Sequence, residues 1–310
     1  MTVTAEFDLE IRDTIRELLG SLTGLLPPDG DEDDRALTVA ASAPAQQALL
    51  CTAGVWHWVV AGLGEGGGAD PVLSRCVPLL HESLDGMALA GDLQTRPVRE
   101  RIAGFGPVVR VATESAVTAT WLVKPDTPEQ RLARAGIVEL KGVESQIASL
   151  AEGEGRRIEL EQELRGIAGE LDRLLGAGAV RWNPNGKVTH VADQHYPKMM
   201  ERYEEAFEGS DGMSGSTAYI EQSLFSHPIG YRDVVFSEPL SESRGTRVVH
   251  TPRSTVHDEG RLAGPGMMAL GIATAEAGKY IGLELWPSVR EVIMELADTW
   301  DRWCRENGCL

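Results

Sequence analysis

Two charged residues, Arg110 and Glu114, interrupt a stretch that is otherwise apolar or small from Val108 to Val123. They stand four apart, so on a helix they share a face and can neutralise one another in a low-dielectric setting. Such a pair either clamps a small ligand at a polar cavity or fixes helix register as a buried ion pair. A second group is His190, Asp193 and His195, an H-x2-D-x-H cluster chemically suited to zinc or iron. Its spacing is neither i, i+4 nor HExxH, so the expectation is that no metal is bound there. The third group comprises His227, Tyr231, His250 and His257, with Arg232, Arg247 and Arg253, in and around the stretch from His227 to Arg261. About thirty-five residues with so few apolar side chains suggest a functional lid or a disordered loop. Under such a lid, His227, His250 or His257 would serve as general base and Tyr231 as its neighbour.

Arginine and histidine in a helical chain also raise the chemistry of HEPN-type ribonucleases, which carry an Arg-x4-6-His motif on the last helix of a four-helix bundle. Arg75 with His81, and Arg244 with His250, have the required spacing. The residue after the arginine, usually polar, is Cys76 in one case and Gly245 in the other, and Pro78 interrupts the first. Spacings of this kind also arise by chance in a chain of this composition.

The elements that would position these groups are mostly helical. Phe7, Ile11, Ile15, Leu18, Leu22 and Leu25 predict an amphipathic helix over about Thr4 to Leu26, and the acidic run Asp29 to Asp34 after it reads as a solvated loop. A second helical stretch, Pro44 to Gly62, contains Trp56, His57 and Trp58. Asp70 and Pro71 supply an N-cap and first helical position for a helix to about Ala90, with a kink expected at Pro78. The segment Val108 to Val123 follows as a helix wrapped by protein, stopped by Pro125. Thr127-Pro128-Glu129-Gln130 is a capping box that opens a long antiparallel hairpin over 127–176. Its seams are Ile137, Leu140, Glu144, Ile147 and Leu150 on one helix, and Leu160, Leu164, Ile167, Leu171 and Leu174 on the other. The hairpin is expected to project and to offer a contact for a second copy.

From 177 to 262 the texture is that of a small irregular insertion. It holds a short hairpin at Val180 to Val191, turned by Asn183-Pro184-Asn185-Gly186, and helices over Pro197 to Phe207 and Ser216 to Phe225. A helix from about Pro265 to Leu285, with a stripe of small residues, and another from Ser288 complete a single helical domain, 1–310. The fold class is therefore all-α: a multi-helix bundle with a long antiparallel helical hairpin and a small irregular insertion.

Charge and cysteine usage narrow the function classes. Lys plus Arg number 29 against 47 for Asp plus Glu, a formal net charge of -18, which repels nucleic-acid phosphates where no basic patch overrides it. The four cysteines include no CxxC pair, consistent with a reduced, cytoplasmic chain. The first residues, MTVTAEFDLEIRD, lack the order of a signal peptide, and no apolar run has the length of a membrane span. The glycine loop 64–68 lacks the Lys-Ser/Thr ending of a phosphate-binding loop, and no cofactor is implied. The expectation is a soluble helical binding or interaction protein, self-assembling as a homo-oligomer such as a homodimer, with a small-molecule pocket beside the central helix at Arg110 and Glu114. An enzyme with a histidine site under 227–261 is the alternative, and a HEPN-like ribonuclease a second.

The segment RVATESAVTATWLVKPDTPEQRLARA, residues 110–135, resembles a segment of uncharacterised all-helical actinobacterial proteins near the DUF5677 type. The matching positions are Glu114, Trp121, Leu122, Pro125, Arg131 and Arg134. The Tyr-x-x-Leu-Ser-x-x-x-His segment of those proteins has no counterpart at Tyr231, where the chain reads YRDVVFSE. The resemblance implies a helical fold and supplies no reaction.

Overall fold

The computed structural model describes residues 70–94, 105–151, 154–210, 214–226, 237–239, 250–252 and 256–282, with 286–287, 289–290 and 294. The described residues form α1 (Leu73–Gln94), α2 (Phe105–Val123), α3 (Pro128–Ala148), α4 (Gly155–Leu175), β1 (Val180–Trp182), β2 (Val188–Val191) and β3 (Gln194–His195). They continue as α5 (Met199–Phe207), α6 (Gly215–Ser226), β4 (Ser237–Pro239), β5 (His250–Pro252) and α7 (Val256–Tyr280). The fold is all-α with two small sheets. The helices expected at 4–26 and 44–62, the acidic run 29–34 and His57 lie outside the described residues, as does most of the helix expected from Ser288.

The apolar segment becomes the central helix because almost every side chain on it is small or apolar. Fourteen of the 19 residues of α2 are buried. Small residues let its neighbours approach closely: a Cβ built on Gly86 of α1 would lie 2.8 Å from the Ala112 Cβ, and one on Gly266 of α7 would lie 3.1 Å from Thr113 Oγ1. Helices α1 and α7 accordingly pack most extensively on α2, with α5 and α6 on a further side. Asp70 ties the start of α1 to the end of α7. Its Oδ1 accepts the backbone N–H groups of Val72 (2.8 Å) and Leu73 (3.2 Å), satisfying the helix's orphan donors, while Oδ2 accepts the Tyr280 hydroxyl at 2.6 Å.

Helix α7 starts at Val256, well before the start expected at Pro265, which lies inside it. Proline suits a first helical turn, but burial outweighs that preference here. Leu262 and Ala263 enter the core cluster of Leu84, Met87, Phe105, Val109 and Ala112, which requires the helix to begin earlier.

Thr127 caps α3, its Oγ1 accepting the Gln130 N–H at 3.3 Å. The hairpin seam closes on itself: Leu160, Leu164, Ala168 and Leu171 of α4 are buried, and Gly136 lets Leu171 sit directly against α3. The outer face of α4 carries the ion pairs Arg156–Glu159, Arg157–Glu161 and Arg173–Glu170, with Ile158 and Leu174 as isolated exposed apolar residues. Most of the expected seam is buried within the hairpin, whereas Leu174, expected in it, is exposed. Glu144, the polar residue of that seam, has a structural task. One carboxylate oxygen accepts the Val188 N–H and the other is 2.8 Å from Lys141 Nζ, which itself donates to the Val188 carbonyl, so α3 grips both polar groups of one β2 residue.

The insertion is built around an antiparallel sheet of order β1-β2-β3. Asn183 Oδ1 accepts N–H bonds from Asn185 and Lys187, both 2.9 Å, and Gly186 takes a φ of 71°, which shapes the expected turn. Among the described residues no helix is long and apolar enough to cross a membrane.

Candidate functional site

Arg110 and Glu114 meet as their spacing requires, with Nε to Oε1 at 2.7 Å. Their side chains keep 21% and 25% of their exposure, so the pair stands at the edge of the core and not sealed inside it. The pair is therefore part-buried, neither sealed in the core nor fully in solvent. An edge pair of this kind contributes roughly 0.3–1 kcal/mol. The Arg110 guanidinium lies 5.9 Å from the Tyr219 ring centroid.

Behind the pair lies a buried polar network. The Tyr203 hydroxyl donates to Gln222 Oε1 at 2.7 Å. Gln222 Nε2 donates to Thr113 Oγ1 at 2.9 Å and to the Leu262 carbonyl at 3.2 Å, and Thr113 Oγ1 donates to the Val109 carbonyl at 2.7 Å. Four helices, α2, α5, α6 and α7, are joined by these bonds. Burial, and then the nearby Glu114 carboxylate, pushes the Tyr203 phenol well above its usual range, so it is a fixed donor.

A second cluster surrounds Trp121. Arg202 is 3% exposed, yet its Nε has no partner among the described residues. Its guanidinium lies 4.0 Å from the Tyr196 ring centroid and 5.7 Å from that of Trp121, and donates to Thr118 Oγ1 (2.9 Å) and the Pro197 carbonyl (3.3 Å). Arg134 lies 4.8 Å from the Trp121 ring, with Nη1 donating to the Trp121 carbonyl and to Glu205, both at 2.6 Å. Arg131 Nε donates to the Pro125 carbonyl at 2.6 Å. The residues around the Pro125 break therefore bolt the α2–α3 corner.

His190 and His195 are directly paired across β2 and β3, with ring centroids 6.1 Å apart and tilted by 49°. His195 Nε2 is 3.6 Å from Glu201, whereas Asp193 accepts a hydrogen bond from Gln194, which leads the causes lowering its pKa. Among the described residues no three His, Cys, Asp or Glu side chains are grouped to hold a metal. His227 and Tyr231 lie outside the described residues, as do Arg244 and Arg247. His250 is in β5 opposite Pro239, and His257 is the second residue of α7. Arg75 and His81 share α1 but not a face, since six residues turn a helix through about 240° net. Arg75 pairs with Glu139.

An apolar groove runs between α1 and α2. Val77, Pro78, His81, Glu82, Asp85, Gly86 and Leu89 line one wall and Pro107, Val108 and Val111 the other, around a volume of about 840 Å³. Leu89 and Val111 are 47% and 48% exposed. Neither Arg110 nor Glu114 lines this groove, which lies about a quarter-turn away around the central helix. The sequence carries only a faint signal of it: Val108 and Val111 are ordinary members of the apolar run 108–123. No protein-family model, curated protein or solved structure matches the chain.

Proposed function

We propose that this chain is a helical binding protein that holds an apolar ligand in the groove between α1 and α2. The observation that carries the reading is the exposure of Leu89 and Val111, about half each, along one groove whose other lining is also mainly apolar. Isolated exposed apolar side chains are ordinary; what supports the reading is that these two share one groove. Its volume falls within the roughly 300–1,000 Å³ range of small-molecule sites. Gly86, which lines the groove, packs directly on Ala112, so the two helices are in close contact at its base.

Titration with Nile red, a neutral dye that brightens in apolar surroundings, tests the proposal. The wild-type chain binds it saturably, and Val111→Asp weakens binding about tenfold or more, because a carboxylate then occupies the apolar wall. Absence of saturable binding, or binding indifferent to Val111→Asp, would refute the assignment.

A further inference from the structure

The ionisable residues lining the groove are His81, Glu82 and Asp85, all on α1. Glu82 and Asp85 stand three apart, and among the described residues no lysine or arginine lines the groove. Glu82 Oε2 accepts the Ser115 hydroxyl at 2.9 Å, which anchors that carboxylate to the α2 side and leaves its second oxygen unused by this bond. Both residues are exposed, and neither carboxylate belongs to an ion pair among the described residues. Two like charges at this spacing repel one another, and a cation between them removes that repulsion. The net charge of -18 further draws cations towards the surface.

Resting on the groove as the ligand site, we propose that its ligand is a small amphipathic cation: an apolar chain or ring system ending in a protonated amine. The apolar part lies against Leu89, Val108 and Val111, and the ammonium group sits between Glu82 and Asp85. A neutral apolar molecule gains the first set of contacts alone, and an anion meets repulsion from the second.

The test compares three molecules with one chain length, dodecylamine, dodecanol and dodecanoate, as competitors of Nile red below their micellar concentrations. At about pH 8 the amine is charged and free imidazole is mostly neutral. Dodecylamine should displace the dye at about tenfold lower concentration than dodecanol, with dodecanoate weakest, as two surface charge contacts allow. Glu82→Gln combined with Asp85→Asn should bring amine and alcohol together while leaving dodecanol unchanged. Asp85→Asn alone, at an exposed position that puts folding at no risk, should remove part of the preference. Equal displacement by amine and alcohol in the wild type, or a preference that survives in the double variant, overturns the cation proposal while the groove reading stands. Loss of Nile red binding in the wild type overturns the groove reading itself. Displacement by an amphipathic leucine–lysine peptide where dodecylamine fails would assign the groove to a partner helix and overturn the small-molecule proposal.

Discussion

Removing the Tyr203 hydroxyl tests whether the buried network behind Arg110 and Glu114 is a closed hydrogen-bond system. Tyr203→Phe deletes one neutral bond, worth about 1 kcal/mol, and takes a donor from Gln222 Oε1. Gln222 is 1% exposed, so water does not readily replace the phenol. Loss of a donor to a buried acceptor costs up to about 1–3 kcal/mol, and Tyr203→Phe should therefore destabilise the chain by roughly 1–3 kcal/mol. Gln222→Leu, of similar volume, should cost at least as much, because the Tyr203 hydroxyl is then stranded. The two changes together leave neither partner stranded, so the double variant should be more stable than Gln222→Leu alone. Urea unfolding followed by circular dichroism gives the free energies and the coupling between the two sites. A Tyr203→Phe cost below about 0.5 kcal/mol would refute the closed network, as would a double variant whose loss equals the sum of the singles.

Other consequences are open to direct measurement. Gly86→Ala should destabilise by about 1–3 kcal/mol, since its Cβ would meet the Ala112 Cβ at 2.8 Å; adding Ala112→Gly should restore much of the loss, and thermal melts will show whether it does. Glu144→Gln should speed amide exchange at Val188, because the neutral side chain is a poorer acceptor for that N–H; unchanged exchange would show that Lys141 alone holds β2. Burial pushes the Cys76 thiol up to about 12, and burial together with the bond to Asp70 pushes the Tyr280 phenol up to about 12. Both folded pKa values are raised, so the associated stability is fully present below the unfolded values and falls as pH rises through about 9–12 for Cys76 and about 10–12 for Tyr280. Melting temperature should drop across that window, less steeply in Cys76→Ala and Tyr280→Phe variants; parallel profiles would argue against the linkage.

Local signals in the sequence account for a large part of the helical framework. The Asp70 cap, the Thr127 cap, the turn at Asn183 and the closure of Arg110 on Glu114 all involve residues within four positions of one another, and local backbone geometry decides them. Pro265 misled because local preference favoured a helix start, whereas the burial of Leu262 and Ala263 depends on α1 and α2. The Tyr203–Gln222–Thr113 network joins positions up to 109 apart, and no periodicity along the chain could signal it.

The sequence by itself determined a helical, strongly acidic chain with an apolar central helix, because apolar period and capping chemistry act over a turn or two. Tertiary structure alone decided which face of that helix is open among the described residues. Close approach at Gly86 and Ala112 brings α1 against α2, leaving Leu89 and Val111 uncovered beside two carboxylates. A groove belongs to the space between two helices, and neither helix encodes it alone.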